Sequence, residues 1–414
     1  MNRKQLALLV VVLVVLGGIG ILIQSNRNKN SDTGEAGVGQ KLLGENFPIN
    51  DVTHIVIKGA TNELNLAKKN DRWCVAERGD YPASFGQISD FLIKASALKV
   101  VQSEEIGASQ LPRMRLVRPG QGTNSGTLLE LRGKDEKAIR TVLLGKKHSR
   151  KPQGEAMPFG GDEGMADGRY VMTGNEKTRA LLIGDPLNNA EPNAATWLDK
   201  DFFKIEKPKS IEVTFPTAAT NSWKLTRDNE AGDWKLADAK KDEKLDSGKS
   251  SGVTTPFASP SFNDIVFPAG KPEENGLDKP TIVKVETFDD FVYTIKIGKK
   301  AGEDYPITVA VTANFPKEPE VSKDEKPEQK AKADKMWQDH QKLLDDKLKH
   351  EKTFESWTYL VPGWSVDQTL KERKDLLEEK KDDKKDSRAA PADDNKADLT
   401  PSGPLDAPNP GKNP

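Results

Sequence analysis

Cysteine and histidine are scarce in this chain, and net charge is almost absent. Cys74 is the only cysteine. A lone cysteine permits no internal disulfide and no cysteine-based metal cage, and it leaves the redox compartment open. Trp73 and Val75 flank it, a strand-like apolar setting in which a thiol behaves as a small packed side chain. The four histidines, His54, His148, His340 and His350, lack zinc-site spacing. His54 lies inside a β-branched run and reads as a packed or edge residue. Basic and acidic residues number 63 and 64, a formal net charge of −1. Such a balance supplies no global field for nucleic acid, and no nucleic-acid partner is expected. Signatures of catalysis are missing as well. There is no Gly-x-Ser-x-Gly elbow, no Walker loop and no dinucleotide fingerprint. A Ser-His-Asp arrangement assembled from distant positions stays open. No catalytic, cofactor-binding or metal residue is assigned from the sequence, and no cofactor is expected.

The feature that organises the chain is Leu6 to Ile23, an apolar run without a charge. At about 1.5 Å rise per residue a helix of this length approaches the ~30 Å hydrocarbon core of a bilayer. Arg3 and Lys4 precede it and Arg27 and Lys29 follow, and a short basic head before a single span favours a cytoplasmic head with the rest of the chain exported. The expectation is a single-pass protein of the cytoplasmic (inner) membrane, its bulk extracytoplasmic or periplasmic, with the lipid bilayer as a partner through Leu6–Ile23. The rival is a cleaved signal peptide, since Gly18-Ile19-Gly20 is a small-x-small triplet. Against it, the run continues through Ile21, Leu22 and Ile23.

The remainder divides by composition and period. Residues 1–5 are the head, 6–23 the membrane helix and 24–45 a flexible spacer rich in Asn, Ser and Gly. A first α+β unit spans 46–206. It opens with three strands, Val52–Ile57, Glu63–Ala67 and Trp73–Val75. Ser84 and Gln87 then form a capping box, and Ile88, Phe91, Leu92, Ala95 and Leu98 make one apolar helix face. Strands at Thr127–Leu131 and Thr141–Leu144 follow, then a loop over 145–168, and strands at Arg169–Met172 and Ala180–Ile183.

The pattern restarts in a second unit, 207–378. Ser210–Phe215 resembles the opening strand, Trp223–Leu225 and Trp234–Leu236 the next two, and Trp234 answers Trp73. Thr281–Val285 answers Thr127–Leu131, Thr294–Lys300 answers Thr141–Lys147, and Ile307–Thr312 answers Arg169–Thr173. Residues 239–263 replace the helix with Lys, Asp, Ser, Gly and Pro. A helical insertion is expected at about 331–352, with Met336, His340, Leu343, Leu344 and Leu348 sharing a face that caps its own sheet or, as the alternative, docks a partner. A strand at Trp357–Val361 and a final helix at Val366–Leu377 close the unit. Residues 379–414 read as a disordered tail. The fold class is therefore α+β: an N-terminal transmembrane helix followed by two repeated units of mostly antiparallel sheet with packed helices.

Two stretches invite a site. Gly145-Lys-Lys-His-Ser-Arg-Lys151 is basic, but Gly298-Lys299-Lys300 recurs in the second unit, so a glycine closing a strand with solvated lysines explains both. Gly160-Gly-Asp-Glu-Gly164 with Asp167 is acidic but lacks calcium-loop spacing.

The basic head and single span, Gly39-Gln40-Lys41-Leu42-Leu43-Gly44, Arg72-Trp73, Tyr81-Pro82-Ala83, Gly145-Lys146-Lys147 and Phe354-Glu-Ser-Trp-Thr-Tyr-Leu-Val-Pro362 together resemble the bacterial DUF4340 family over residues 1–378. These motifs are turns and tryptophans, so they carry no catalytic residue across. The resemblance implies an extracytoplasmic accessory role beside an ABC-type export permease and a gliding-motility-like auxiliary subunit. Two functions follow as expectations: a membrane-anchored binding or scaffold protein, or a membrane-anchored hydrolase without a local motif.

Overall fold

The computed structural model describes residues 37–149, 166–174, 176–318 and 327–379. Leu6–Ile23, the tail beyond residue 379 and the acidic loop Gly160–Gly164 lie outside these residues. Among the described residues no helix is long and apolar enough to cross a membrane. Contacts group the described residues up to Leu377 into one compact unit.

Mixed α+β structure is observed, with two antiparallel sheets and few helices. The first sheet takes β1 (His54–Lys58), β2 (Glu63–Lys69), β3 (Arg72–Val75), β4 (Tyr81–Pro82), β5 (Val100–Glu105), β6 (Thr127–Arg132), β7 (Ala138–Ser149), β8 (Ala166–Thr173) and β9 (Arg179–Ile183). Helix α1 (Phe85–Ala97) falls between β4 and β5. The second takes β10 (Pro208–Thr214), β11 (Trp223–Thr226), β12 (Lys235–Leu236), β13 (Asp264–Ile265), β14 (Thr281–Thr287), β15 (Phe291–Ile297), β16 (Asp304–Ala313) and β17 (Tyr359–Pro362). Helices α2 (Ser247–Ser250), α3 (Pro272–Asn275), α4 (Pro327–Glu351) and α5 (Gly363–Val366) accompany it.

Strand order is β4-β3-β2-β1-β6-β7-β8-β9-β5 in the first sheet and β12-β11-β10-β14-β15-β16-β17-β13 in the second. Apart from β4, the two orders coincide element for element. Register carries the match to single residues. Ile55 pairs with Leu66 and Leu131, and Ile211 pairs with Leu225 and Val285. Val75 opposite Leu66 matches Leu236 opposite Leu225, which puts Trp73 and Trp234 at equivalent positions. Trp73 is buried, whereas Trp234 is half-buried beneath the Arg227 guanidinium, 4.8 Å from its ring. Thr127 and Thr281 are also equivalent, as are Thr141 and Thr294. One alignment differs from the sequence pattern. Val171, not Arg169, stands where Ile307 stands, because Leu144 pairs with Val171 and Ile297 with Ile307.

Sheet alternation explains the core. Ile55, Ile57, Leu64, Leu66, Leu129 and Leu131 point to one face and are buried. Ile88, Phe91, Leu92 and Ala95 of α1 lie on them, with Ser84 accepting from the Gln87 amide at 3.4 Å. This core is continuous with that of the second sheet, through Val213, Leu225, Val283, Tyr293 and Val309. Aromatic rings fill the junction: Tyr81 lies edge-on to Trp357 at 5.1 Å, and Phe202 meets Tyr359 at 4.6 Å. Arg78 closes it with a two-pronged bond to Asp264, 2.7 and 2.6 Å, linking the β3–β4 turn to β13. The first sheet has apolar residues on its other face as well, where Leu128, Leu143, Met172 and Ala180 are covered by Ile106 and Leu116.

Several elements differ from their sequence reading, each for a tertiary reason. Leu42 and Leu43 are buried, and Gly39 N donates to Val100 O at 2.8 Å, so the end of the expected spacer is part of the folded body. Strand β7 runs on to Ser149 instead of ending before Gly145. Edge strand β5, mostly exposed, has no alternation to betray it. Val366–Leu377 is not one helix: α5 ends at Val366, and a 3-10 turn covers Arg373–Leu376. Carbonyls a helix would use internally are taken by other segments. Lys371 O accepts from the Trp223 indole at 2.7 Å, and Leu376 O accepts from Asp246 N at 2.9 Å.

In α4 the inward row is Trp337, Gln341, Leu344, Leu348 and Glu351, while Met336, His340 and Leu343 are exposed. Glu351 is only 3 % exposed. One carboxylate oxygen accepts from Lys204 N at 3.3 Å and the other has no hydrogen-bond partner among the described residues. Burial raises its pKa, opposed by the Lys204 amide, Lys347 and His350.

Candidate functional site

A cavity of about 310 Å³ opens at one end of the first sheet, lined by the β1–β2 turn (Gly59–Asn62), the entry to β6 (Ser125–Thr127) and the linker Glu191–Asn193. Local hydrogen bonds build it. Gly59 N donates to Asn62 O at 2.8 Å, which closes the turn. The Asn62 side chain donates to Pro192 O at 2.9 Å, which fastens the linker to it. Asn193 accepts from Ala195 N at 3.1 Å and so caps the 3-10 turn Ala194–Trp197. Two glycines are required by close approach. A Cβ on Gly59 would stand 2.9 Å from Pro192 Cγ, and one on Gly126 would stand 2.3 Å from Arg115 O.

Glu191 is the only acidic residue in the lining. Its carboxylate lies 3.8 Å from Arg169 and 3.9 Å from Lys147. Arg169 is 5 % exposed and donates to Gly145 O at 2.9 Å and Pro186 O at 3.3 Å. Burial pushes its guanidinium pKa down, Glu191 pulls it back and Arg115 lowers it further. The cavity therefore presents hydroxyls and amides around one charge-compensated carboxylate, a lining suited to orienting a polar ligand by hydrogen bonds.

The second sheet lacks this arrangement for a definite reason. Ala83 bridges Leu198 as Leu245 bridges Leu377. Ser84 N donates to Trp197 O as Asp246 N donates to Leu376 O. That correspondence puts Leu370 in the place of Glu191, and Lys371 in the place of Pro192. The Trp223 indole donates to Lys371 O as Asn62 donates to Pro192 O. An apolar residue and a longer hairpin thus stand where the first sheet has a polar opening.

The stretches singled out in the sequence fall elsewhere. Gly145 and Gly298 are equivalent, and each lies under a crossing segment. Lys146 N donates to Met114 O at 2.8 Å, and Lys299 N donates to Asn275 O at 2.9 Å. A Cβ would come within 2.5 Å of Met114 O at Gly145 and within 2.1 Å of Asn275 O at Gly298. The recurring glycine is a crossing point, and in the first sheet its lysines lie within a strand instead of a turn. His54 is held between Glu136 at 2.7 Å and Asn65 at 3.1 Å. His148 meets Asp167 at 2.6 Å, and His350 lies 3.1 Å from Asp201. Among the described residues no group of three or more His, Cys, Asp or Glu is placed to hold a metal ion. Cys74 is buried, and burial raises its thiol pKa. Sequence reasoning missed Asn62, Arg169 and Glu191 as a group. Their separation in the chain and lack of a motif leave no local signal beyond the turn glycines.

No curated protein and no solved structure matches the chain. A family profile described as a domain of unknown function, DUF4340, matches residues 73–280. Those limits run from inside β3 to just before β14, so the matched segment takes strands from both sheets and crosses their shared core. With half of its length covered in this way, the chain belongs to the DUF4340 family.

Proposed function

We propose that this protein is a membrane-anchored, extracytoplasmic binding or scaffold protein that serves as an accessory of an ABC-type export complex of the gliding-motility-like kind. The observation that carries the reading is the joining of an apolar run, Leu6–Ile23, to a body of two matched sheets locked by one core and by Arg78–Asp264. A helix formed by that run is anchored by its hydrocarbon surface, with the basic head at Arg3 and Lys4 retained inside. Tethering confines the body near its partners and raises their effective concentration. The body offers a polar cavity beside Glu191 and long antiparallel sheets with exposed edges such as β5, surfaces on which peptide or subunit contacts are built.

Spheroplasts provide the test. Protease added outside should digest the body, and cross-linking in intact membranes should trap a permease or its auxiliary subunit. Protection of the body would overturn the orientation, and a soluble mature form would establish the signal-peptide alternative. Membranes that yield no transporter subunit, from which the purified protein turns over a substrate, would replace this reading with that of an anchored hydrolase.

A further inference from the structure

Between β8 and β9 of the first sheet only residues 174–178 intervene, whereas residues 314–358 intervene between β16 and β17. Helix α4 is the main element of that insertion. Its C-terminal half serves the fold: Leu344 is buried, Leu348 packs on the core, and Lys347 lies 2.6 Å from Glu206. The preceding turns carry a second row that does not face the core. Met336 and Leu343 are 65 % and 68 % exposed, and exposed His340 lies between them. A helix that only capped its sheet would have polar residues there.

Beside this row runs another, Lys332, Asp339 and Asp346, at seven-residue spacing on one flank of the helix. The midpoint of Met336 and Leu343 falls between Asp339 and His340, and that of Lys332 and Asp346 falls at Asp339, half a residue away. A two-fold axis crossing the helix at Asp339–His340 exchanges Met336 with Leu343, sets Lys332 within one residue of the partner's Asp346 and brings Asp339 beside the partner's His340. We propose that this flank of α4 pairs antiparallel with the same flank of a second copy of the chain. Each Met336 then meets the partner's Leu343, and each Lys332 faces the partner's Asp346, which also reaches Lys349 of its own helix at 3.5 Å. A parallel pairing would set Lys332, Asp339 and Asp346 against their own copies, three like-charge contacts, whereas the antiparallel pairing leaves only Asp339 near its own copy. Self-complementarity about one axis is what an isologous contact requires.

The contact is a single helix flank, smaller than the ~1,200 Å² of a standard stable interface. It therefore depends on local concentration, which confinement to a membrane supplies. The pairing goes beyond the tether reading and uses it only for that concentration. A two-fold axis along the membrane normal leaves both apolar runs in one bilayer.

Disulfide trapping in the full chain, reconstituted in vesicles, reads the register directly. A disulfide needs Cα atoms within about 7 Å, and seven helical residues span about 10 Å. Native Cys74 is buried and remains. Mild oxidation should give covalent dimers with His340→Cys alone and with a mixture of Met336→Cys and Leu343→Cys chains. Met336→Cys alone should give at least fivefold less. Met336→Lys with Leu343→Lys, added to the His340→Cys chain, should abolish its covalent dimer in vesicles and leave the melting temperature unchanged. No covalent dimer from His340→Cys, or equal yield from Met336→Cys alone, would overturn the pairing. Failure of the chain to sediment with vesicles would instead overturn the tether, and the same oxidation in concentrated micellar solution would still decide the pairing.

Discussion

The two sheets keep one strand order while differing in what covers their second faces. In the first, Leu128, Leu143, Met172 and Ala180 lie under the segment that carries Ile106 and Leu116. The register equivalents in the second are Ile282, Lys296, Thr308 and Thr358, with Lys296 exposed. Helix cover differs too: α1 has 13 residues where α2 has four. The ladder and the shared face are thus held in common, and variation lies in the connections and in the strand residues beneath them. Backbone pairing tolerates any side chain that suits its face, but a covering segment and the residues beneath it must change together.

Core truncation should give the largest effect that tests this equivalence. Trp223 and Leu64 occupy matching positions, both fully buried in the common core. Trp223→Ala is expected to cost about 3–5 kcal/mol and Leu64→Ala about 2–5 kcal/mol. Because the core is continuous, each should shift a single unfolding transition in guanidinium. Two separate transitions, each moved by one variant, would show that the sheets unfold independently.

Leu143→Lys writes the second sheet's residue into the first. Loss of a buried leucine should cost about 2–3 kcal/mol by chemical denaturation. The reverse change, Lys296→Leu, meets no covering segment and should stay within about 0.5 kcal/mol. Equal effects would mean that the second faces are alike after all.

Gly145→Ala and Gly298→Ala test whether the recurring glycine does the same thing twice. Each new methyl group would press on a backbone carbonyl, and each should cost about 2 kcal/mol. Thermal melts that move for one variant only would break the equivalence at the crossing point.

Caps are a smaller difference. Ser84 starts α1, and Asp246 starts α2 by accepting from Gly248 N at 2.9 Å and Lys249 N at 3.0 Å. Ser84→Ala and Asp246→Ala should each cost about 1 kcal/mol in urea. An unmoved midpoint for Asp246→Ala would show that the one-turn helix is held by its neighbours alone.

The smallest expected effect is a slope. Glu351 has no counterpart in the first sheet, and its folded-state pKa is raised by burial. The folded chain holds that proton more tightly than the unfolded chain. Its contribution is therefore fully present below the ordinary carboxylate pKa and is lost as pH rises through the raised value. Glu351→Gln should flatten melting temperature against pH across that window, and an unchanged slope would remove Glu351 as its source.

Much of the repeat was legible in the sequence because its signals are local. Alternation in Val52–Ile57 and Thr127–Leu131, the helical period after Ser84 and the recurrence of Gly-Lys-Lys each follow from a few neighbouring residues. Leu6–Ile23 is legible in the same way as an apolar run, since length and hydrophobicity belong to a single stretch. Edge strand β5 and two-residue β13 were not legible, because pairing partners and not their own period define them. The same applies to Val366–Leu377, whose helical period yields to hydrogen bonds offered by Trp223 and Asp246. Local chemistry by itself determined the strands with a clear period, their order of appearance and the repeat. Only the tertiary structure decided that the two sheets share one core, that Asn62 and Glu191 line one opening with buried Arg169 behind Glu191, and which flank of α4 stays uncovered. Those outcomes depend on contacts between residues far apart in the chain, and no window of sequence contains both partners.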